Sequence, residues 1–356
     1  MTKEESKKIK GAAILFMLFH HLFGFESWYI NGNSYISLLK LGEGIAIEKY
    51  LAVFFRICIA MYLFTTGYGF YIQLNGKSIN QIIEKIFLHL KSFMVEYWKI
   101  FLIFIPIHIF LVKPDINFRM LFEMFFGYTT GYNPTWWFVR AYICVLLSFP
   151  FWLYIFQKKN NIYMDFLLLI GIGAFFAHVY SQIIALPIMG NLKNVIYAVF
   201  LNTMKENISP VIMGMLCAKY NIFQICKEKI KDWSKIKKGF FSLLCIGLII
   251  YLRHLNSNRT DYDYIFVPVF IFSILILIKK IKLFSILGEY STFMWLIHYF
   301  LLVLWGKFQD IIFIPKYSIL VFIWFVFINL IISYLIKIFY KNITKLYKNL
   351  KRSSAC

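Results

Sequence analysis

From Lys10 to Tyr340 the sequence is a train of apolar segments interrupted at short intervals by lysine, and nothing between them is long or polar enough to build a separate water-soluble domain. Read as helices, these segments place candidate membrane crossings at about 9–25, 50–73, 93–112, 136–156, 163–186, 203–220, 238–252, 264–279, 291–306 and 317–338. At about 1.5 Å per residue, most can cross a hydrocarbon core of about 30 Å. The first, seventh, eighth and ninth are short and need flanking residues to complete the crossing. In the sixth, the run Asn202-Thr203-Met204-Lys205-Glu206-Asn207 is polar and Pro210 follows. Residues 194–201 therefore read either as an interfacial helix or as part of a broken span, and the path of 187–207 stays open. Hydrophobic residues make up 60% of the chain and charged residues 15%, whereas a soluble domain carries about a quarter of its residues as charge. The solvent for this much Phe, Ile, Leu and Tyr is lipid. The expected fold class is all-α membrane: a polytopic bundle of about ten transmembrane helices forming one domain over 1–340, with a basic cytoplasmic tail over 341–356.

A net charge of +21 would suit a nucleic-acid-binding chain, but here the lysines punctuate the apolar segments and form neither an arm nor one face. Such punctuation is what the positive-inside rule produces. With the N-terminus inside, 25 of the 38 Lys and Arg residues fall in inside segments, 9 in outside segments, and the remaining Arg56, Lys99, Arg140 and Lys205 within spans. That asymmetry predicts a plasma-membrane protein with both termini in the cytoplasm. Lys3, Lys7, Lys8 and Lys10 ahead of the first apolar run imitate a signal peptide. No small-x-small cleavage pattern follows, and His20-His21 interrupts the run, so it reads as a retained first helix. The cysteines (Cys58, Cys144, Cys217, Cys226, Cys245 and Cys356) show no CxxC pairing and sit mostly in apolar segments, as buried free thiols do. The last residue is the cysteine, so the tail is not a prenylation box.

Function in such a chain is sought where charge sits at membrane depth, because an Arg or Asp at a helix centre costs about 2.5–3.5 kcal/mol and needs a partner, a cavity or a job. Lys10 and His21 are eleven residues apart and share a face of the first helix, with His20 turned about 100° away. The histidines are either interfacial groups bonded to a neighbour or a base facing a cavity. Arg56 precedes Thr65-Thr66-Gly67-Tyr68-Gly69 in the second helix and either snorkels to the surface or faces the interior. Trp136 and Trp137 open the fourth helix as an aromatic belt, or as partners for Arg140 at i+4 and i+3. Arg253-His254 and Asp261-Tyr262-Asp263 form an outer-loop ion pair or an acceptor site. His298, near mid-depth in the ninth helix, is a packing histidine or a second acid/base. The chain carries no Gly-rich phosphate loop, no HExxH and no His/Cys metal spacing, so no metal ligands are assigned. No internal repeat of the inverted-repeat kind is visible.

Five motifs in order resemble the acyltransferase 3 family of integral membrane acyltransferases. Lys10-Gly11 through His21 resembles that family's first helix, with a basic residue, ten intervening residues and a histidine. Phe54-Phe55 to Thr66-Gly67-Tyr68-Gly69, Trp136-Trp137-Phe138 to Phe149-Pro150, and Met213-Gly214 to Ala218-Lys219 resemble its second, fourth and sixth helices. Leu287-Gly288-Glu289-Tyr290-Ser291 to His298 resembles its Leu-Gly-x-x-Ser…His segment. Two features depart from the pattern. Lys10 stands where the family usually has Arg, which keeps charge and loses bidentate phosphate binding. The family's paired arginines after the second helix are replaced at best by Lys85 and Lys91.

The resemblance implies transfer of an acyl group, usually acetyl, from cytoplasmic acyl-CoA to a hydroxyl of an extracytoplasmic polysaccharide or lipid-linked sugar. Acetyl-CoA would be a co-substrate, with no tightly bound cofactor. Anionic acyl-CoA would meet Lys10, Lys85 and Lys91. His21 or His20 would serve as general base or acyl relay. Arg140 or Arg56 would stabilise the oxyanion, and His298 would act as second acid/base or orient the first. Trp136, Trp137, Tyr68, Asp263 and Arg253 would meet the acceptor. The expected type is stand-alone, without a fused esterase-like domain, with room for a separate soluble partner. A transporter or flippase for glycolipid or small solute, and a catalytically inert assembly platform, are the competing readings.

Overall fold

The computed structural model describes residues 1–157, 161–179, 182, 196–256 and 260–353. Among them the regular structure is helical, with isolated bridges at Ile36–Tyr317 and Lys40–Ala46. Helix α1 (Lys3–Phe23) begins at a capping box, in which the Thr2 hydroxyl accepts from the Glu5 N–H while Glu5 accepts from the Thr2 N–H. The expected second span is two helices, α2 (Ile47–Phe55) and α3 (Cys58–Leu74), broken at Arg56-Ile57. Helix α4 (Ile79–Val112) absorbs what the sequence suggested was a cytoplasmic loop. Ser78 and Gln81 form a second capping box, so Lys85 and Lys91 lie on a helix of 34 residues and not on a loop. After α5 (Phe118–Phe125) comes α6 (Trp137–Gln157), then α7 (Ile162–Ala174), which continues in π geometry over Phe175–Val179.

Helix α8 (Ile196–Lys219) runs through the polar stretch at 202–207 without a break, so residues 196–201 belong to it and form no separate interfacial helix. Helices α9 (Ile222–Lys229), α10 (Lys235–Leu255) and α11 (Asp263–Ile278) follow. Helix α12 (Leu283–Tyr299) starts eight residues before the expected ninth span and passes into π geometry at Phe300–Leu304. His298 is thus fifteen residues into its helix, deeper than expected. After α13 (Gly306–Phe313), helix α14 (Ser318–Ser353) runs unbroken past residue 340. Lys158, Lys159, Lys193 and Arg259, the end of the expected fifth span, residues 187–195 and Cys356 lie outside the described residues.

Among the described residues, five stretches are long and apolar enough to cross a membrane: Ile47–Leu74, Ile79–Val112, Pro134–Gln157, Leu283–Leu304 and Ser318–Leu346. Asn207–Lys219 with Ile222–Lys229, bent by 60°, makes a sixth if taken as one span, and α7 and α11 are shorter apolar helices.

Two glycine crossings hold the bundle. Helices α1 and α12 run parallel, and a Cβ on Gly11 would stand 1.9 Å from the Phe284 carbonyl oxygen, while one on Gly288 would stand 1.9 Å from that of Lys7. Helices α3 and α8 repeat the device. A Cβ on Gly67 would meet the Val211 carbonyl at 1.9 Å, and one on Gly214 that of Phe64 at 2.1 Å. In lipid no hydrophobic force drives helices together, so small residues that allow backbone contact select the pairs.

Polar contacts sort the molecule into two ends. At one, Glu5 pairs with Lys227, Glu289 pairs with both Lys7 and Lys337, Glu4 accepts from Ser285, and Lys8 donates to the Lys279 carbonyl. Nearby, Lys219 bonds the Phe156 carbonyl and the buried Asp165, tying α8 to α6 and α7. At the other end the loop over 24–46 lies on α13, held by Asn31 and Asn33 to Asp310 and by Gln309 to the Ile30 N–H and the Trp28 carbonyl. Burial in this loop, reinforced by Tyr35 and the carboxylates of Glu26 and Glu48, pushes the Tyr29 phenol up, so it stays protonated and donates to the Leu22 carbonyl.

Candidate active site

The parallel crossing of α1 and α12 sets the centre of the site. His21 lies ten residues past Gly11, and His298 ten residues past Gly288. Equal offsets on parallel helices bring the two imidazoles to one level, roughly 15 Å beyond the crossing. His21 Nδ1 and His298 Nε2 are 2.6 Å apart, with ring centroids at 4.7 Å and planes inclined by 8°. Two ring faces cannot approach so closely, so the rings meet edge to edge, N–H to lone pair.

Behind them, His298 Nδ1 lies 2.5 Å from the Trp295 carbonyl oxygen. A carbonyl only accepts, so that nitrogen carries the proton. In neutral His298 the Nε2 is then an acceptor, and His21 Nδ1 donates to it. The lone pair of a neutral His21 is left on Nε2. These proton positions follow from the chain of partners. The Trp295 and Leu296 carbonyls, just before α12 turns to π geometry, both bond side chains, Leu296 accepting from Trp136 Nε1 at 3.0 Å.

His21 and His20 line a cavity of about 610 Å³ that follows α1 from Lys10 to Phe25 just past its end. Lys10 and His21 alone are about 16 Å apart along the helix axis. His20 Nδ1 donates to the Ala52 carbonyl at 2.7 Å. Helix α4 contributes His89, Ser92, Phe93 and Glu96, which share one face at i, i+3, i+4 and i+7. Tyr62, Thr66, Trp137, Phe138, Tyr142, Ser291 and Trp295 add an aromatic and hydroxyl wall. Phe25 stacks on Trp28 at 4.2 Å and covers the histidine pair, His21 standing 5.6 Å from the Trp28 ring. The lining carboxylates are both taken, Glu96 by Lys99 at 2.7 Å and Asp263 by Arg253 at 2.6 Å. Lys10 and Arg56, both on the wall, make no side-chain hydrogen bond or ion pair among the described residues. The chamber is therefore electropositive and draws anions. Among the described residues no group of three or more His, Cys, Asp or Glu is placed to hold a metal.

The structure brings together on or directly behind this wall His20, His21, His298, Arg56, Lys10, Trp137 and Asp263. It does not bring the others there. Arg140 donates to the Tyr128 carbonyl at 3.3 Å, away from the cavity, and makes no stacking contact with Trp136 or Trp137. Trp136 packs in the core against Tyr97 and Phe300. Tyr68 sits at the lysine-rich end, where its oxygen accepts from the Met1 amine at 2.5 Å, far from the tryptophans it was grouped with. Arg253 is wholly buried and binds Asp263 and the Val53 and Phe54 carbonyls, so it faces protein and not a ligand. Lys85 and Lys91 are exposed on α4 and do not line the cavity. Sequence reasoning missed His89, Ser92 and Glu96. Their signal was a polar i, i+3, i+7 set in a helix announced by its capping box.

A family model for the acyltransferase domain of the acyltransferase 3 type matches residues 9–338. The chain belongs to this family and is a multi-pass membrane protein whose domain supports acyl transfer. No curated protein and no solved structure matches the chain.

Proposed function

We propose that this protein is a membrane-embedded O-acyltransferase. It moves an acyl group, acetyl in the simplest case, from cytoplasmic acyl-CoA to a hydroxyl of an extracytoplasmic polysaccharide or lipid-linked sugar. The observation that carries this reading is the His21–His298–Trp295 chain, which leaves an imidazole lone pair on the wall of a lengthwise, electropositive chamber. We place the protein in the plasma membrane with about ten crossings and both termini cytoplasmic. The lysine-rich end, which gathers the N-terminus, Lys227 and Lys337, is then the donor side.

In the proposed reaction the CoA phosphates are drawn to Lys10, Lys85 and Lys91. The acceptor hydroxyl enters from the opposite end, beside Trp137 and Asp263. His21 Nε2 takes the hydroxyl proton as the oxygen attacks the thioester carbon. The imidazolium so formed donates from Nδ1 to His298. Arg56 is the cation available to the tetrahedral oxyanion. The C–S bond breaks, and the proton held on His21 Nε2 passes to the departing thiolate, giving CoA thiol and ester with no net proton change.

The test is purified protein in liposomes with labelled acetyl-CoA and surface glycan from cells that lack the protein. Formation of a labelled ester, lowered about 10²–10⁴-fold by His21→Ala while the protein still folds, is the expected result. Movement of acceptor across the liposome without any need for acyl-CoA would overturn it in favour of a transporter.

A further inference from the structure

A buried ion pair stands beside the chamber and takes no part in the proposed proton chain. Arg253, in the last turn of α10, grips Asp263, the first residue of α11, through Nε to Oδ1 at 2.6 Å and Nη2 to Oδ2 at 3.0 Å. Its Nη1 donates to the Phe54 carbonyl at 2.5 Å and the Val53 carbonyl at 3.4 Å. Those oxygens belong to the last turn of α2, which stops at Phe55: the Phe54 oxygen also takes the Ile57 N–H at 3.1 Å, whereas no backbone N–H among the described residues reaches the Val53 oxygen. The carbonyl before them, Ala52, is taken by His20. Two side chains from other helices thus supply the donors for Ala52 and Val53 and a second donor for Phe54, at an end that lipid could not solvate. Arg56 stands at this break, on the cavity wall and unpaired among the described residues.

We propose that Arg253, oriented by Asp263, is a positioning residue that holds the α2–α3 break so that Arg56 stands in the chamber. The inference rests on the acyl-transfer reading, in which Arg56 meets the oxyanion. Arg253 acts in two ways. Its guanidinium caps the carbonyls that fix the corner carrying Arg56. It also occupies both oxygens of Asp263, a carboxylate on the same wall that would otherwise capture Arg56 and neutralise it. A bidentate fork does both from one residue, which a lysine cannot.

The test uses the full chain in membrane vesicles that retain native acceptor, following free CoA thiol released from acetyl-CoA. The double replacement R253M/D263L removes the pair without leaving a buried charge, so the protein keeps its fold. It is expected to lower turnover about tenfold or more, with KM for acetyl-CoA unchanged within about twofold, because the donor is held at the Lys10 end. In an Arg56→Gln background the same replacement is expected to change turnover by less than about twofold, since the residue it positions is gone. Equal losses in both backgrounds would show a role independent of Arg56 and overturn the proposal. Arg253→Lys, which keeps the charge, serves if the double variant does not fold, with a smaller loss in the same pattern.

A second readout needs no activity. Cys58 opens α3 directly after the break, is 2% exposed, and lines the cavity. With the other cysteines replaced by serine, R253M/D263L is expected to speed its maleimide labelling about fivefold without lowering the unfolding temperature to match. An unchanged rate overturns the proposal. A wild-type protein that releases no more CoA than His21→Ala counts against the acyl-transfer reading, and the labelling result then decides the positioning role alone.

Discussion

A neutral imidazole has one proton to give and one lone pair to offer, and the His21–His298 chain uses both at once. The Trp295 carbonyl fixes the proton on His298 Nδ1, and this decides which nitrogen of His21 faces the chamber as a base. His298→Ala is therefore expected to leave the fold intact and lower kcat about 10²-fold, because His21 can then adopt the wrong tautomer. His298→Gln, whose amide oxygen can accept from His21 Nδ1, should recover part of the loss, and an undiminished kcat in His298→Ala would show that His298 only packs. Single residues were legible to different degrees. His20, His21 and His298 stood out because each interrupts an apolar run. Their pairing did not, because the two partners are 277 positions apart, although equal spacing from Gly11 and Gly288 was there to be read. Arg140 was drawn into the site by its spacing from two tryptophans. Spacing says which residues share a helix face, and says nothing about whether that face meets the chamber.

At the scale of elements, glycine contacts choose which helices pair. Gly11→Ala and Gly288→Ala each place a methyl within 1.9 Å of a carbonyl oxygen, so the helices must part. Each should cost about 1–3 kcal/mol, as overpacking does, and lower the unfolding temperature in detergent. Gly171→Ala, which would meet nothing within 4 Å, is the control and should be neutral or stabilising. Helix identity was largely legible, since apolar runs and lysine punctuation marked most elements. Boundaries were not. The start of α4 was hidden because its first turns are polar enough to read as a loop, even though Ser78-x-x-Gln81 announces a helix. The α2–α3 break carries no proline and no glycine between Phe54 and Cys58. Its carbonyls bond side chains from α1 and α10, distant partners that no local reading reveals.

For the whole molecule, charge separates the two ends of the chamber. If anionic CoA is drawn to the lysine-rich end, KM for acetyl-CoA should rise several-fold as ionic strength passes from about 0.01 M to about 0.15 M, where the screening length falls from about 30 Å to about 8 Å. The kcat should hold, and an unaltered KM would remove long-range attraction from the account. Cys226 is partly exposed beside Lys227 at that end. An impermeant maleimide should reach it in inverted vesicles and not in intact cells, and the reverse result would turn the proposed orientation over. The two glycine crossings also divide the machinery into blocks. Both imidazoles ride on α1 and α12, a pair locked backbone to backbone, whereas Arg56 rides on the corner between α2 and α3, which is bonded by Arg253 from α10 and by His20 from α1. A substrate that shifts this corner on entry would move the cation and strain the His20–Ala52 bond while leaving the His21–His298 wire unbroken. Proton transfer and oxyanion contact can in this way be tuned by separate sets of residues.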